Sequence, residues 1–152
     1  MSQFDLVVRA GSVLDGTGSE PYTADIGVKD GVIQEIGRIN SKTYQEVDAD
    51  GAIVTPGFVD IHTHYDGQAT WSNRMSPSSH HGVTTAVMGN CGVGFAPVRA
   101  EDHDLLIELM EGVEDIPGVA LHEGLSWDWE SFEDYMDHLS ARQFDMPLNA
   151  KI

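Results

Sequence analysis

The feature that most constrains this chain is an apolar run, residues 57–64, that ends in two histidines one residue apart, His62 and His64. Alternate side chains of a β-strand share a face, so Asp60, His62 and His64 point the same way if the run is a strand. Two imidazoles then converge at the carboxyl end of that strand. This arrangement suits a divalent metal such as zinc, and a pair of solvated or core histidines is the alternative interpretation.

A second strand-like run covers residues 83–88 and leads into Gly89-Asn90-Cys91-Gly92, which holds the only cysteine of the chain. If the two runs are neighbouring parallel strands, their carboxyl ends lie at the same edge of the sheet. We therefore predict that His62, His64 and Cys91 come within a shared metal-binding distance at that edge. Zinc bonds to these ligands are about 2.0–2.3 Å long, so side chains that diverge would contradict the prediction.

These two motifs carry a resemblance to a known family. Residues 56–64 resemble the first barrel strand of the amidohydrolase superfamily, metal-dependent hydrolases built on a (β/α)8 barrel. Residues 81–97, with Cys91, are similar to the D-aminoacylase branch, the N-acyl-D-amino-acid deacylases, in which a cysteine on strand 2 is a metal ligand. The resemblance also covers the acidic segment 111–118. It implies one or two divalent ions, with zinc favoured, and His62, His64 and Cys91 as ligands.

The same resemblance implies an activity and the location of the remaining catalytic groups. The activity is zinc-dependent hydrolysis of carbon–nitrogen bonds in linear amides, with N-acyl-D-amino acids as small-molecule substrates. Two further histidine ligands and a general-base aspartate are expected beyond Ile152, so no catalytic base is assigned in this chain. A cyclic-amide amidohydrolase of the hydantoinase or dihydropyrimidinase type is one alternative. A non-catalytic truncated remnant is the other, and the reading frame after the codon for Ile152 would discriminate between an enzyme and a remnant.

The predicted fold class is α/β, the N-terminal part of a metal-dependent hydrolase barrel preceded by a small sheet. Residues 1–55 are predicted to form an antiparallel sheet, which the resemblance makes half of a β-sandwich. Residues 56–152 are predicted to form two β/α units and the start of a third strand, within residues 147–152. A (β/α)8 barrel needs about 250 residues, so the barrel is expected to be incomplete. We expect the chain by itself to be inactive and to bind zinc weakly, because its ligands must be ordered on binding.

Local signals predict the main elements. Asp30-Gly31 between two alternating runs predicts a type I′ hairpin, since both residues need positive φ. Helical spacing over residues 104–113 predicts a core-facing stripe, and Ser131 is a predicted N-cap for a second amphipathic helix. Residues 72–81 are predicted to be a short helical connection, and residues 117–129 a loop. The stripe is formed by Leu105, Leu106, Leu109, Met110 and Val113.

Four other polar residues have competing interpretations. Asp66 and Gln68 follow the first predicted barrel strand, where such loops build active sites, but turn chemistry explains them equally well. His81 precedes Gly82, which suits a left-handed position after a helix end, so a structural role is favoured for His81. His122 lies in a tryptophan-containing segment, where a lone histidine is more often packed and hydrogen-bonded than bound to a metal, so it is excluded from the ligand set.

Charge limits the partners of the protein. Eight Lys and Arg residues stand against 25 Asp and Glu, a formal charge of −17, which disfavours binding to nucleic acid and to anionic membranes. Residues 101–140 alone hold 13 acidic side chains and no Lys or Arg, which is typical of a solvated helical face. One cysteine allows no intrachain disulfide, and no apolar stretch is long enough for a membrane span. A cytoplasmic protein that binds a small molecule is expected.

Overall fold

The computed structural model describes residues 3–150, and the chain divides into two compact units, Met1–Pro56 and Gly57–Ile152. The first unit is a five-stranded sheet with the strand order β3-β2-β1-β4, in which β5 also pairs with β1. Its strands are β1 (Leu6–Val13), β2 (Tyr22–Lys29), β3 (Val32–Gly37), β4 (Gln45–Asp48) and β5 (Ile53–Val54).

The predicted hairpin of the first unit is confirmed. Strand β2 pairs antiparallel with β3, and Asp30 and Gly31 between them have φ values of 50° and 74°. The prediction that the sheet is antiparallel throughout is wrong, because β4 and β5 pair parallel with β1. The connection after β3 carries the chain past β2 to the far side of β1, so β4 arrives in the same direction as β1.

The second unit is a three-stranded parallel sheet with helices between its strands. The strands are in the order β6-β7-β8, and both pairs are parallel. The elements are β6 (Phe58–Asp60), α1 (Gln68–Trp71), a 3-10 helix (Ser78–His81), β7 (Val83–Met88), a second 3-10 helix (Ala100–Asp102), α2 (His103–Glu114), α3 (Gly118–Gly124), α4 (Phe132–Ser140) and β8 (Leu148–Ala150).

The close pairing of β6 with β7 depends on a glycine just before β6. A Cβ at Gly57 would lie 2.1 Å from Cγ2 and 2.2 Å from Oγ1 of Thr84. Real Cβ atoms do not approach other heavy atoms so closely, so any larger residue at position 57 would displace Thr84 on β7.

Several predictions for this unit are confirmed. Gly82 has a φ of 86° after the 3-10 helix that ends at His81. Ser131 caps α4 in a capping box with Asp134. A third strand is present, although Lys151 and Ile152 of the predicted segment lie outside the described residues.

Two other predictions for this unit need correction. The strand predicted to reach His64 ends at Asp60, so both histidines lie in the irregular segment after β6. The predicted loop 117–129 contains α3, whose Leu121 is fully buried. Tertiary packing of that apolar side chain stabilises a helix that the local sequence does not indicate.

The apolar stripe of α2 also differs from the prediction. Its buried residues are Ile107 and Met110, whereas Leu105 and Leu109 are 67% and 53% exposed. The helix is therefore rotated so that one edge of the predicted stripe faces outward. No helix within residues 3–150 combines the length and the hydropathy that crossing a membrane would require.

Candidate metal centre

The three predicted ligands come together beyond the carboxyl ends of β6 and β7. His62 and His64 follow β6, and Cys91 lies in the turn after β7. The sulfur of Cys91 is 3.4 Å from Nε2 of His62 and 3.4 Å from Nε2 of His64. Among the described residues, these form the one group of three or more His, Cys, Asp or Glu side chains whose ligand atoms all lie within 4.8 Å of one another.

Backbone pairing explains why residues so distant in the chain meet here. Parallel strands place their carboxyl ends at one edge of the sheet. The pairing then continues past β6 through Thr63, whose N–H and hydroxyl both donate to the carbonyl oxygen of Val87 at 3.0 Å. Closer to β6, the backbone N–H of His62 donates a hydrogen bond to Oδ1 of Asp60 at 3.0 Å. The segment holding both histidines is thus fixed at two points.

The donor set fits a tetrahedral metal such as zinc. Two ligands of a tetrahedral zinc, with bonds of about 2.1 and 2.3 Å, lie about 3.6 Å apart, close to the observed sulfur-to-nitrogen distances. His62 and Cys91 are exposed and His64 is half-buried, so the group is open to solvent. The same distances also fit hydrogen bonds between the Cys91 thiol and the two imidazoles.

Asp66, two residues after His64, is buried and joins the two ligand-bearing segments. Its Oδ2 accepts a hydrogen bond from the N–H of Gly89 at 3.2 Å, and its backbone carbonyl accepts one from the hydroxyl of Tyr135 at 2.8 Å. Burial raises the pKa of the Asp66 carboxyl above its ordinary value. Of the two interpretations of Asp66, these contacts favour a role in holding the turn.

A second acid, Glu114, approaches the same segment from the end of α2. Its Oε1 accepts a hydrogen bond from the N–H of Gly67 at 3.0 Å, and its Oε2 is buried without a hydrogen-bond partner. Burial raises the pKa of Glu114 to about 8. Burial is also the main cause of the raised pKa of Tyr135, with Asp66 and Glu114 adding to it.

The other polar candidates lie outside the ligand group. Gln68 donates to the backbone carbonyls of Arg74 and Ser76, which are structural contacts of the following loop. His81 is exposed at the end of the 3-10 helix. His122 Nδ1 lies 3.9 Å from Oδ1 of Asp104, an ion-pair distance between α3 and α2.

Sequence reasoning missed three residues that hold this site together: Thr63, Asn90 and Glu114. Thr63 and Asn90 lie inside the two motifs, directly beside predicted ligands. That adjacency is the sequence signal that could have identified them as part of the site. Glu114 belongs to a run of acidic residues that looks uniformly solvated. The sequence contains no signal that singles out this member of the run as the buried one.

Comparison with known proteins places these motifs in a family. Residues 45–151 match the model of the amidohydrolase family. A D-aminoacylase from Alcaligenes xylosoxydans xylosoxydans is 35% identical over 139 residues, which cover 91% of this chain and 26% of that protein.

Two solved structures are similar over 98% of this chain. One is a D-aminoacylase described as having a binuclear metal centre, with a TM-score of 0.78, 32% identity and 29% of its own chain covered. The other is N-acyl-D-glutamate deacylase from Bordetella bronchiseptica in complex with zinc and a phosphonate inhibitor, with a TM-score of 0.71, 29% identity and 29% of its chain covered. The present chain thus spans less than a third of the length of each protein.

Proposed function

The chain belongs to the amidohydrolase family, and from this premise we propose that His62, His64 and Cys91 bind a divalent metal ion. The observation that carries the proposal is the mutual approach of their ligand atoms, all within 4.8 Å of one another. Mixed imidazole and thiolate ligands favour zinc. The binuclear centre of the D-aminoacylase and the zinc complex of the deacylase support one or two such ions.

Each ligand has a defined role in the proposed centre. His62 and His64 bind as neutral imidazoles and Cys91 binds as a thiolate, so metal binding releases protons and weakens as the pH falls. The chemistry that zinc supplies when bound is polarisation of an amide carbonyl and acidification of a water molecule. Residues 3–150 bring no carboxylate into the group of ligand atoms, and the general base is therefore not assigned among them.

We propose that the protein carrying this chain hydrolyses the amide bond of linear N-acyl-D-amino acids. Support comes from the D-aminoacylase relative, which is 35% identical, and from the two solved deacylase structures. The consecutive parallel order β6-β7-β8, with helices between the strands, supports a further proposal. In this proposal β6, β7 and β8 are the first three strands of a (β/α)8 barrel, and the first unit is half of a β-sandwich.

The charge of the chain supports a small-molecule substrate over a polyanion. A net charge of −17 repels nucleic acid and anionic lipid surfaces.

The activity is tested with the zinc-loaded protein that carries this chain. Paired N-acetyl-D- and N-acetyl-L-amino acids are assayed beside hydantoin and dihydrouracil. The D-enantiomers are expected to react faster by orders of magnitude, because a mirror-image substrate leaves a buried polar group of the site unpaired. Faster turnover of the two cyclic amides would instead favour the hydantoinase or dihydropyrimidinase type. Absence of zinc-dependent turnover on every substrate would favour a non-catalytic protein.

Variants connect that activity to the proposed ligands. Cys91→Ala is expected to abolish turnover at limiting zinc, whereas His122→Ala removes a histidine outside the ligand group and is expected to leave turnover unchanged. Undiminished activity in Cys91→Ala would exclude Cys91 from the centre.

A further inference from the structure

Cys91 has an unusual backbone conformation for a residue with a side chain. Its φ is 60°, in the left-handed region, between Gly89 and Gly92, whose φ values are 78° and 71°. A residue with a Cβ meets steric crowding in this region that glycine avoids. Such a conformation persists where the surrounding structure imposes it. The contacts that hold the turn therefore bear directly on where the Cys91 sulfur lies.

The side chain of Asn90 makes two of these contacts. Asn90 is 7% exposed, and its Nδ2 donates to the carbonyl oxygen of Val87 at 2.9 Å and to that of Thr63 at 3.1 Å. Val87 belongs to the strand that leads into the Cys91 turn, whereas Thr63 lies between the two histidines. One amide group thus links the segment of the thiol to the segment of the imidazoles.

The Val87 carbonyl is a shared point of attachment for both segments. It accepts from the N–H and the hydroxyl of Thr63, both at 3.0 Å, and from Nδ2 of Asn90 at 2.9 Å. Donors from both ligand-bearing segments therefore meet at one backbone oxygen. Moving Asn90 would move Cys91 beside it relative to Thr63 and its neighbouring histidines.

We propose that Asn90 is a positioning residue for the metal centre. Its amide bridge between the carbonyls of Val87 and Thr63 holds Cys91 in the left-handed conformation that directs the sulfur at both imidazoles. The inference rests on the metal site proposed above and adds a residue that does not itself bind the metal. Groups that orient metal ligands commonly change metal affinity by about 10–100-fold when removed.

The chemistry of the bridge requires an amide at position 90. Both atoms that it reaches are carbonyl oxygens, which accept hydrogen bonds, and the NH2 of asparagine supplies two donors. A carboxylate of the same shape supplies acceptors only. Asn90→Asp therefore preserves size while reversing the hydrogen-bonding character, and Asn90→Ala removes the group.

The test is a titration of the metal-free chain with Co²⁺, followed by absorption spectroscopy. A cobalt-bound thiolate gives a near-ultraviolet charge-transfer band that imidazole ligands alone do not give. Wild type is expected to show this band, and Asn90→Ala and Asn90→Asp are each expected to lose at least half of its intensity per bound cobalt. The dissociation constants of both variants for Co²⁺ are expected to be about 10–100-fold higher than that of wild type.

A control separates positioning from general destabilisation. Ser131→Ala removes the cap of α4, lowers stability by a local change outside the ligand-bearing segments, and is expected to keep the wild-type spectrum. Wild-type band intensity and affinity in Asn90→Ala would overturn the inference while leaving the metal site intact. If Asn90→Ala fails to fold, wild-type band intensity and affinity in Asn90→Asp would overturn the inference. A wild-type chain that binds Co²⁺ without a thiolate band would overturn the metal site itself.

Discussion

The backbone N–H of Gly67 donates a hydrogen bond to Oε1 of Glu114 at 3.0 Å, joining residues 47 positions apart in the chain. The other carboxyl oxygen of Glu114 is buried and has no hydrogen-bond partner. Burial disfavours an ionised carboxylate there and raises the pKa of Glu114, and the charge of the nearby Asp66 carboxylate adds to the effect. The Glu114 carboxyl is therefore kept protonated at neutral pH and holds the segment after His64 as a neutral acceptor.

This protonation gives the chain a pH-dependent stability. The pKa of Glu114 is about 8 in the folded state against 4.5 for the unperturbed group, so folding retains a proton that the unfolded chain releases. The contribution of this proton to the free energy of unfolding is complete below pH 4.5, decreases as the pH rises, and is lost by about pH 8.

Glu114→Gln should remove this dependence, because glutamine keeps the acceptor and carries no charge. Relative to wild type, the free energy of unfolding of Glu114→Gln should increase by about 2 kcal/mol between pH 5 and pH 7. Urea unfolding at both pH values measures the change. Glu108→Gln, at an exposed position on the same helix, is the matched control for removing a charge. An identical pH dependence in wild type and Glu114→Gln would contradict the buried neutral acid.

Zinc should protect the thiol of Cys91 from chemical modification. Cys91 is exposed and is the only cysteine, so a thiol reagent reports on this residue alone. Coordination removes the thiolate that reacts, and the modification rate should fall by at least about tenfold at saturating zinc. His64→Ala should largely abolish protection, whereas His122→Ala should retain it. Equal modification rates with and without zinc in wild type would argue for a simple thiol–imidazole hydrogen bond.

Gly57→Ala should destabilise the parallel sheet. The added Cβ would lie 2.1 Å from Cγ2 of Thr84, so β6 and β7 must shift apart. Overpacking of this kind costs about 1–3 kcal/mol. Gly112→Ala is the matched control, because its added Cβ meets nothing within 4 Å and alanine favours the interior of α2. This control should gain about 0.5–1 kcal/mol, and chemical denaturation of both variants should give shifts of opposite sign.

Ser131→Ala should destabilise α4 by about 1 kcal/mol. The Ser131 hydroxyl accepts from the N–H of Asp134 at 3.1 Å, and the Asp134 carboxylate in turn accepts from the N–H of Ser131 at 3.0 Å. Alanine removes the first of these bonds and exposes the start of the helix. Ser131→Thr retains the hydroxyl and should recover most of the loss, measured as the midpoint of thermal unfolding. Equal midpoints for wild type and Ser131→Ala would show that the cap contributes nothing.

The elements that sequence reasoning predicted correctly are those with a local physical signal. Asp30-Gly31 needs positive φ at both residues, and Ser131 provides a hydroxyl where a helix begins, so neither depends on distant contacts. The strand-like run 83–88 is also a local signal, and it forms β7 with the predicted bounds. The two ligand motifs were also local, since each was predicted at the end of a strand-like run.

The remaining features depend on contacts between residues far apart in the chain. The burial of Ile107 in place of Leu105 depends on how α2 packs, and the helix at 118–124 depends on the burial of Leu121. The parallel pairing of β4 likewise depends on the route of the connection before it.

The sequence by itself indicated which side chains make up the candidate site, because His62, His64 and Cys91 were predicted from residue type and from their places at the ends of two strand-like runs. Only the tertiary structure decided which groups hold those side chains in place. The bridge of Asn90 to Thr63 and the neutral acid of Glu114 each depend on a partner distant in the chain. The physical reason is that turns and caps follow from the torsions of neighbouring residues, whereas burial, and the pKa that burial shifts, are set by atoms that only folding brings together.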